Sequence, residues 1–354
     1  MRLKARIIGL SCASIAVIAL CGCSWEDFFP PHSPTLPNDV AVDRALRLCS
    51  LSEGDQPFHL VMDIAPPPRT AHTALGLEPR ALNMRAQIEI YWLNRITYRT
   101  VIRSRDFNQI RIVNGNVVEE HDSGDFYPRW IQNFMDGLLN PVPNVSTLRK
   151  IPGEVPVGVK SHACISNPVP ESGSPDQTAE AQVCFQDAEP RIASGVDFTR
   201  SVWFDNFAPF GAQQIARTLV DDLPANILVR GQITELEPLQ QSDYPLLRAR
   251  EFTDPAKQIA TQLVSRSAAE SLLEATQGQV APDVVFGSDA PREGQSVVYI
   301  RTDRKGKVRE AYRDAAGRVD PLDDAVIRAL TLHFKPLVID GAPRQMEAPI
   351  VLPS

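Results

Sequence analysis

Apolar and polar residues alternate along several short segments in the first third of the chain. The pattern is clearest at 86–92 and 96–102, and it recurs at 58–64 and 107–113. Because successive side chains of a strand point to opposite faces, this period of two predicts strands with one buried and one wet face. Asn114-Gly115 then matches the preferred two-residue hairpin turn. We therefore predict an antiparallel meander whose apolar face is covered by another element.

The covering element is predicted from a change of period at Phe126. From there to Leu139, apolar residues recur at three- and four-residue spacing, and Pro141 ends the run. This spacing is typical of a helix with one aromatic stripe, which we expect to lie on the sheet. A shorter helix is predicted at 39–50. Strand-like runs resume at 157–166, 181–185, 201–204, 215–220 and 227–236.

The start of the chain has the order of an export signal. Three basic residues within Met1–Arg6 precede the apolar run Ile7–Leu20, which is shorter than the roughly 20 residues that span a membrane. The run ends in Leu20-Cys21-Gly22-Cys23, which resembles the lipobox of bacterial lipoproteins. That resemblance implies cleavage before Cys23, a diacylglycerol on its thiol and an acyl chain on its amine. An ordinary signal peptide and an uncleaved anchor helix are the alternatives.

The residues after Cys23 predict where the chain is held. Ser24 follows, and lipoproteins without Asp at this position usually go on to the outer membrane, with the inner membrane as the alternative. Residues 24–37 are rich in proline, which favours a stiff, extended tether. We therefore expect 1–22 to be a signal peptide and 23–56 a lipid-anchored tether with the short helix. The predicted location is the outer membrane, facing the periplasm.

Charge and cysteine content agree with export. Loss of the three basic residues of the signal would take the net charge from −7 to about −10, and an acidic surface argues against a nucleic-acid partner. Cys164 and Cys184 each lie in a strand-like run, and an oxidising compartment permits a disulfide between them. Two buried thiols are the alternative. Cys49 is expected to be a buried apolar residue of the short helix.

Residues 294–354 have a pattern of their own. It predicts a strand at 296–301, a turn at 303–307, a strand at 308–313, a helix from Pro321 that ends before Pro336, and a final strand at 346–352. Residues 237–293 separate this unit from the sheet region of 57–236. They are predicted to be a connector with a helical tendency at 267–276.

The order and spacing of this terminal unit resemble the TonB carboxy-terminal domain. The matching residues are Gly294, Val298, Ile300, Asp303, Gly306, Lys307, Val308, Leu322, Asp323, Ala325, Val326, Ala329, Phe334, Lys335, Pro336, Gly341, Pro343 and Ile350–Pro353. The resemblance implies a binding domain that adds an extended receptor segment to its sheet edge. The last strand is then the binding edge, and its candidate partner-binding residues are Met346, Ala348, Ile350 and Leu352.

The chain departs from the energy-transducing members of that family in its anchor. Those proteins have an inner-membrane helix that contacts a proton-driven motor, whereas a lipobox and a short tether stand here. The resemblance therefore implies tethered binding, and it leaves open a part in TonB-linked transport. The basic residues on one hairpin are expected to be a solvated turn, or else a contact for an acidic receptor segment or an anionic lipid. They are Arg301, Arg304, Lys305, Lys307 and Arg309.

The middle region, 57–236, looks like the open β half-barrel of LolA-like periplasmic lipoprotein carriers. Tyr98-Arg99, the run from Phe107 to Gly115 and the aromatic helix after Phe126 carry the resemblance. It implies a concave apolar face that holds a lipid or an acyl chain. The predicted fold class is therefore α+β, with an antiparallel half-barrel and a packed helix followed by a small TonB-like domain.

Catalytic and metal-binding patterns do not stand out in the sequence. Its six histidines have no ligand spacing, and neither a nucleophile elbow nor a phosphate-binding loop occurs. The acid/base cluster Glu119–Asp122 is expected to be a solvated strand end, and Trp92, Trp130 and Trp203 are expected in the core. We therefore expect no enzyme activity, no metal and no cofactor.

Two functions follow from these patterns. The first is a lipid-anchored cell-envelope protein whose terminal domain contacts an outer-membrane or periplasmic partner by strand addition. The alternative is a periplasm-facing carrier of a lipid or another hydrophobic ligand in the half-barrel. Both make the membrane a partner through lipid on Cys23.

Overall fold

The computed structural model describes residues 34–65, 85–105, 107–157, 163–167, 181–186, 190–197, 200–223, 227–252, 262–274, 295–312 and 324–353. The helices are α1 (Asn38–Cys49), α2 (Arg129–Leu139), α3 (Val145–Leu148), α4 (Arg266–Leu272) and α5 (Asp324–Ala329), with 3₁₀ helices at Leu51–Glu53 and Gln241–Leu247. The strands are β1 (Thr35–Pro37), β2 (Phe58–Ala65), β3 (Ala86–Asn94), β4 (Thr97–Ser104), β5 (Phe107–Asn114), β6 (Val117–Gly124), β7 (Glu154–Pro156), β8 (Ala163–Asn167), β9 (Ala181–Gln186), β10 (Arg191–Asp197), β11 (Arg200–Phe210), β12 (Gln213–Leu223), β13 (Ile227–Pro238), β14 (Gln262–Leu263), β15 (Gln295–Thr302), β16 (Val308–Tyr312), β17 (Leu337–Ile339), β18 (Ala342–Arg344) and β19 (Met346–Pro353).

One large antiparallel sheet organises the chain. Its eleven strands lie in the order β6-β5-β4-β3-β2-β13-β12-β11-β10-β9-β8, and in the described residues the two end strands β6 and β8 do not pair with each other. The sheet is therefore open. This confirms the coarse prediction of an antiparallel sheet accompanied by a few helices.

The alternation in the sequence becomes a two-faced sheet. On β2, Phe58, Leu60 and Met62 are fully buried, whereas His59 and Asp63 between them face the other side. Full burial of each such apolar side chain contributes roughly 2 kcal/mol. One continuous core extends from β5 to β8 on this face. We call it the concave face, the name used for the face that the sequence predicts.

The helices α1 and α2, together with the short α3, cover the concave face. The predicted aromatic helix is α2, which begins at Arg129 after Pro128, and its buried stripe includes Trp130 and Phe134. The short helix predicted at 39–50 is α1, which buries Ala41, Val42 and Ala45 in the same core. Although its sequence position is next to the predicted tether, α1 therefore packs as part of the sheet unit.

Several strands depart from the predicted pattern. Within the run predicted at 157–166, the described residues form a strand from Ala163, where β8 begins at the sheet edge; β7, which pairs with β1, ends at Pro156, before the run. Strand β10 was not predicted, because Ile192, Ala193 and Ser194 are all buried and the strand has no alternation. Trp203 was expected in the core but is 40% exposed, because it points away from the helices on β11.

The first part of the predicted connector packs on the opposite face of the sheet. The 3₁₀ helix Gln241–Leu247 contacts β3, β4 and β5. Its Leu247 is 2% exposed, and Val101 and Ile112 on those strands are buried as well. Residues 239–250 are therefore attached to the large sheet and do not form a free linker.

The terminal unit has its own four-stranded sheet, in the order β14-β19-β15-β16, and its own apolar core with α4 and α5. Gly306 turns the β15–β16 hairpin at φ +86°, as its sequence position predicts. The helix was predicted to continue to Pro336 but ends near Ala329. It stops early because the following residues return to the sheet, where His333 bridges Lys307 and Phe334 bridges Leu273.

Candidate functional site

A small apolar cleft lies where α1, α2 and the large sheet meet. Its walls are Cys49, Gly137, Leu138, Pro141, Ile192, Phe204, Phe207, Ile215, Ala216 and Leu219. Among these lining side chains, only the Cys49 thiol can ionise. The free space corresponds to about one water molecule. An acyl chain therefore fits only after α2 has moved away from the sheet.

The close approach of α2 to the sheet depends on Gly137. A Cβ on this residue would lie 3.2 Å from Leu219 Cδ2 and 3.5 Å from Val202 Cγ1. One turn earlier, Asn133 Nδ2 donates to the two carboxylate oxygens of Asp221 on β12, at 3.0 and 3.3 Å, and both residues are buried. This polar bond inside an apolar core fixes the rotation of the helix.

The carboxyl end of α2 is fastened to its surroundings. Ser50 Oγ donates to the carbonyl oxygen of Leu139 at 2.7 Å, and Ser52 Oγ donates to Asn140 Oδ1 at 3.2 Å. On β10, a Cβ at Gly195 would lie 2.6 Å from the carbonyl oxygen of Pro141. The backbone just after α2 is therefore held against both α1 and the sheet.

The Cys49 thiol is an inert part of the cleft wall. Burial raises its pKa to about 11, although a backbone hydrogen bond with Ile192 and the charge of Arg191 oppose the rise. The thiol is therefore protonated at neutral pH, and a protonated thiol is a poor nucleophile. Cys49 is buried and free, as its sequence position predicts.

The concave face becomes polar toward the edge strand β6. Arg111 Nη1 lies 3.3 Å from Glu120 Oε2, and Gln109 Nε2 donates to Asp122 Oδ1 at 3.0 Å. Burial raises the pKa of Glu120 to about 7, Asp122 adds to the rise, and Arg111 opposes it. The prediction of a solvated strand end is wrong for Glu120, whose side chain is 2% exposed.

A second polar network lies on the opposite face of β2 and β3. Glu89 accepts from Tyr91 Oη at 2.7 Å and from Arg103 Nη1 at 3.0 Å, and His59 Nε2 lies 3.3 Å away. Burial acts to raise the pKa of Glu89, but these hydrogen bonds outweigh it and lower the pKa. His59 also lies 3.5 Å from Glu237 on β13. The network links the four neighbouring strands β4, β3, β2 and β13 and is remote from the apolar cleft.

The predicted disulfide is present between adjacent edge strands. Cys164 on β8 and Cys184 on β9 are direct partners in the ladder, and their sulfur atoms are 2.08 Å apart. The bond ties the last strand of the large sheet to its neighbour. The predicted lipidation site, Cys23, lies outside the described residues and stays a prediction.

The predicted partner-binding side chains lie in the core of the terminal unit. Met346, Ala348, Ile350 and Leu352 are all at most 1% exposed. Strand addition at β19 would therefore involve its backbone and not these side chains.

The outer edge of β19 is paired at its beginning and poor in donors beyond it. Gln345 and Glu347 carbonyls accept from Gln262 and Val264, so odd-numbered residues turn their backbone groups to this edge. The next odd positions in the sequence are Pro349, Val351 and Pro353. Proline has no N–H, so beyond Glu347 only Val351 offers a backbone donor at this edge.

The basic hairpin of the terminal unit faces the large sheet. Arg301 is 6% exposed, and its Nε lies 2.5 Å from Glu347 Oε2, so the prediction of a solvated turn is wrong for this residue. Lys305 Nζ lies 2.5 Å from Asp125 Oδ2, in the segment that leads into α2. The terminal unit is therefore docked beside the amino end of α2.

The cleft residues were not identified as a site in the sequence. Gly137 inside a helical pattern and Asp221 directly after the strand-like run 215–220 are the two signals that could have indicated them, since each is unfavourable inside a buried element without a packing or bonding reason. In the described part of the chain, no group of three His, Cys, Asp or Glu side chains is placed to hold a metal ion. No described helix is long and apolar enough to cross a bilayer.

Comparison with known proteins finds similar folds only. No family model matches the chain, and no curated protein matches it. A LolA superfamily protein of Nitrosomonas europaea is 8% identical, with a TM-score of 0.32, over 59% of this chain and 96% of its own. A DUF1329 family protein of Desulfovibrio piger is 10% identical, with a TM-score of 0.35, over 60% of this chain and 99% of its own. Function has to be argued from the site itself.

Proposed function

We propose that this protein is a non-enzymatic lipoprotein of the cell envelope that carries a hydrophobic ligand, a lipid or an acyl chain, between α2 and the concave face. The observation that carries the proposal is the cleft beside Gly137, where apolar walls meet at the seam between a helix and an open sheet. Ligand pockets are mostly apolar and often lie between packed elements.

The apolar surface continues along α2 beyond the cleft. Phe134 lies so close to β13 that a Cβ on Gly231 would be 2.9 Å from its Cε1 atom, and Met62 of β2 lines the same spot. The buried stripe of α2 thus covers an apolar track from Leu138 to Phe134. When α2 moves away, an extended hydrocarbon chain would take the place of part of this stripe. The sheet would then exchange its apolar contact with the helix for an apolar contact with the ligand.

Placement in the envelope is proposed from the sequence. The Leu20–Cys23 lipobox supplies the anchor, and the Cys164–Cys184 disulfide agrees with an oxidising compartment. An outer-membrane position facing the periplasm follows from Ser24. A lipid-anchored carrier at a membrane surface would exchange its ligand with that membrane.

Binding of a dansyl-labelled fatty acid tests the proposal. Phe207 and Ala216 are paired across β11 and β12 and both line the cleft. Ala216→Phe fills the cleft and should weaken binding at least tenfold. Phe207→Ala with Ala216→Phe conserves the total volume and should bind within about threefold of the wild type. Fluorescence titration measures both affinities.

Two controls make this test decisive. Ile96→Ser removes an apolar side chain that is 63% exposed on a hairpin far from the cleft, and it should leave the affinity unchanged. Thermal melting verifies that each variant is folded. Equal probe affinity in wild type and folded Ala216→Phe would show that the ligand binds elsewhere and would overturn the proposal.

Strand addition at β19 is the second candidate. It is favoured by the TonB-like sequence pattern. It is also favoured because β14 covers only the beginning of this edge, where it pairs with Met346 and Glu347. Pro349 and Pro353 weaken it, because they reduce the donors that a partner strand needs. The carrier function is therefore the better supported of the two.

A single substitution tests the second candidate. Val351→Pro removes the outward N–H. Because odd-numbered residues of β19 turn their backbone groups away from β15, the hydrogen bonds between β15 and β19 should stay. If an outer-membrane partner pairs with this edge, Val351→Pro should abolish in-cell photo-crosslinks from a probe at position 349. Crosslinks to the same partner in both proteins would exclude strand addition.

A further inference from the structure

The terminal unit holds the amino end of α2 through a pair of buried hydrogen bonds. Gln345, between β18 and β19, is fully buried. Its side-chain oxygen accepts from the backbone N–H of Tyr127 at 2.7 Å, and its side-chain nitrogen donates to the carbonyl oxygen of Tyr127 at 2.9 Å. One amide thus satisfies both backbone groups of a residue just before the helix, as a neighbouring strand would.

Two more groups of the terminal unit contact the first turn of α2. The Glu310 carboxylate accepts from the backbone N–H of Arg129 with both oxygens at 3.2 Å, an orphan donor at the positive end of the helix. Arg301 Nη2 donates to Gln132 Oε1 at 3.3 Å while its Nε contacts Glu347. The contacts reach from the residue before the helix to its first turn.

The rim of this contact is charged and aromatic. Lys305 Nζ pairs with Asp125, and the backbone N–H of Arg304 donates to the carbonyl oxygen of Asp125 at 3.0 Å. The Arg309 guanidinium lies 5.2 Å from the centre of the Phe126 ring. The hairpin that the sequence marks as basic is therefore occupied by an internal contact.

The two ends of α2 are held by different parts of the chain. Its carboxyl end is fastened to Ser50, Ser52 and β10, all within the sheet unit. Its amino end is contacted by residues that follow β14 in the sequence. Once the terminal unit lets go, the amino half of α2 is held by its own contacts with the sheet, among them the Asn133–Asp221 bond, and it can pivot about the fixed carboxyl end when those contacts open.

We propose that the terminal unit is a clamp on α2 that controls access to the apolar track, so that release of the Gln345–Tyr127 contact lets the amino end of α2 swing from the sheet and admits or discharges the ligand. The biological purpose of the clamp rests on the proposed carrier function, whereas the movement of α2 itself needs no ligand. Because the closed cleft has room for about one water, ligand entry requires such a movement.

The reactivity of the Cys49 thiol reports whether α2 has moved away from the sheet. It is a buried free thiol in the cleft wall, so its alkylation by iodoacetamide requires exposure. We would measure the alkylation rate of the Cys49 peptide by mass spectrometry in the full chain without ligand, together with hydrogen exchange of the backbone amides of 129–133. Neither measurement depends on the lipid or on a partner.

Gln345→Leu tests the clamp directly. Leucine has a similar size but bonds neither backbone group of Tyr127, so amide exchange at 129–133 and Cys49 alkylation should both rise at least tenfold. Gln241→Leu makes the same chemical change at an exposed position of the 3₁₀ helix and should alter neither rate. Unchanged rates in folded Gln345→Leu would overturn the clamp.

A covalent lock tests the same idea without weakening the fold. Asp125→Cys with Lys305→Cys replaces an exposed ion pair and can be joined by a short bismaleimide. The joined protein should lower both rates at least tenfold relative to the unjoined double variant, and it should release bound dansyl fatty acid at least tenfold more slowly. If the lock slows hydrogen exchange but no probe binds, the clamp stands and the carrier function fails. If probe binds and the lock changes no rate, the clamp fails.

Discussion

Neighbouring residues on β6 have opposite electrostatic environments because of the pleat. Glu120 points to the concave face, where burial raises its pKa to about 7. Glu119 points to the other face, where a hydrogen bond with His121 at 2.8 Å and the N–H of Arg250 lower its pKa. A carboxyl that is held partly neutral beside an apolar core marks the boundary between the polar edge and the helix-covered region.

The buried acid predicts a pH-dependent gain in Glu120→Gln. The folded pKa lies above the unfolded value of 4.5, so the contribution of Glu120 to stability is present below about pH 4.5 and is lost as the pH rises through 7. Glutamine stays neutral. The free energy of unfolding of the variant minus that of wild type should therefore be about 1 kcal/mol larger at pH 8 than at pH 5, which means that the variant gains stability relative to wild type as the pH rises, measured by urea denaturation.

Glu119→Gln is the matched control one residue away. Because its pKa is lowered in the fold, its ionised form contributes stability above the unfolded pKa and loses it at lower pH. The variant should therefore show no gain at pH 8. Equal gains in both variants would mean that burial of Glu120 is not the cause.

The sequence predicts only part of this residue-scale arrangement. Alternation on β6 indicates that Glu119 and Glu120 face opposite sides. It does not indicate that the side of Glu120 is buried, since that depends on the partner strand with Arg111 and on tertiary contacts. Trp203 was misplaced for the same reason, because its face is set by which side the helices cover.

At the scale of elements, α2 is the part of the fold that connects sequence pattern to proposed function. Its buried stripe is predicted by the spacing of its apolar residues. The observed helix differs from the predicted one only at the first turn, where Pro128 delays its start. The Asn133–Asp221 bond could not be predicted from the sequence, because only the tertiary fold brings the two residues together.

Removal of that bond should loosen the helix. Asn133→Ala takes a donor from a buried carboxylate, and a hydrogen bond to a charged group contributes about 1.5–3 kcal/mol. The free energy of unfolding should fall by that amount. Asn108→Ala, exposed on β5, should change it by less than about 0.5 kcal/mol. A loss in Asn133→Ala no larger than in Asn108→Ala would show that the bond does not secure α2.

Elements were predictable where periodicity is strong and missed where tertiary contacts replace it. The meander β2–β6 and its hairpin at Gly115 follow from alternation and turn chemistry. Strand β10 has Gly195 against the backbone of Pro141 and buried residues on both faces, so no amphipathic pattern exists for it. The short β14 is defined only by its parallel partner β19.

At the scale of the whole molecule, the terminal unit and the sheet unit are coupled through α2. Sequence patterns predict both units and their order along the chain. They do not predict the docking, since Gln345 and Tyr127 are far apart in sequence and neither belongs to a recognisable motif. The basic hairpin gave a signal for a contact, and that contact is with Asp125 and Phe126 of the same chain.

Membrane attachment is the whole-molecule property that the sequence predicts alone. Cys23→Ser should release the protein from the membrane fraction or leave it unprocessed, because serine cannot form the thioether and each buried methylene contributes about 0.8 kcal/mol to anchoring. Cys21→Ser keeps the modified cysteine and should stay with the membrane. Fractionation and gel mobility measure both. Unchanged location and size for Cys23→Ser would contradict the lipid anchor.

The central claim is that a hydrophobic ligand lies between α2 and the concave face. A fatty acid with a photoreactive diazirine in its chain, irradiated on the full chain and mapped by mass spectrometry, tests it most directly. Adducts are expected on the cleft walls, at Leu138, Phe204 or Leu219, and they should be lost in Ala216→Phe. Adducts confined to exposed apolar residues such as Phe252 and Leu263 would contradict it.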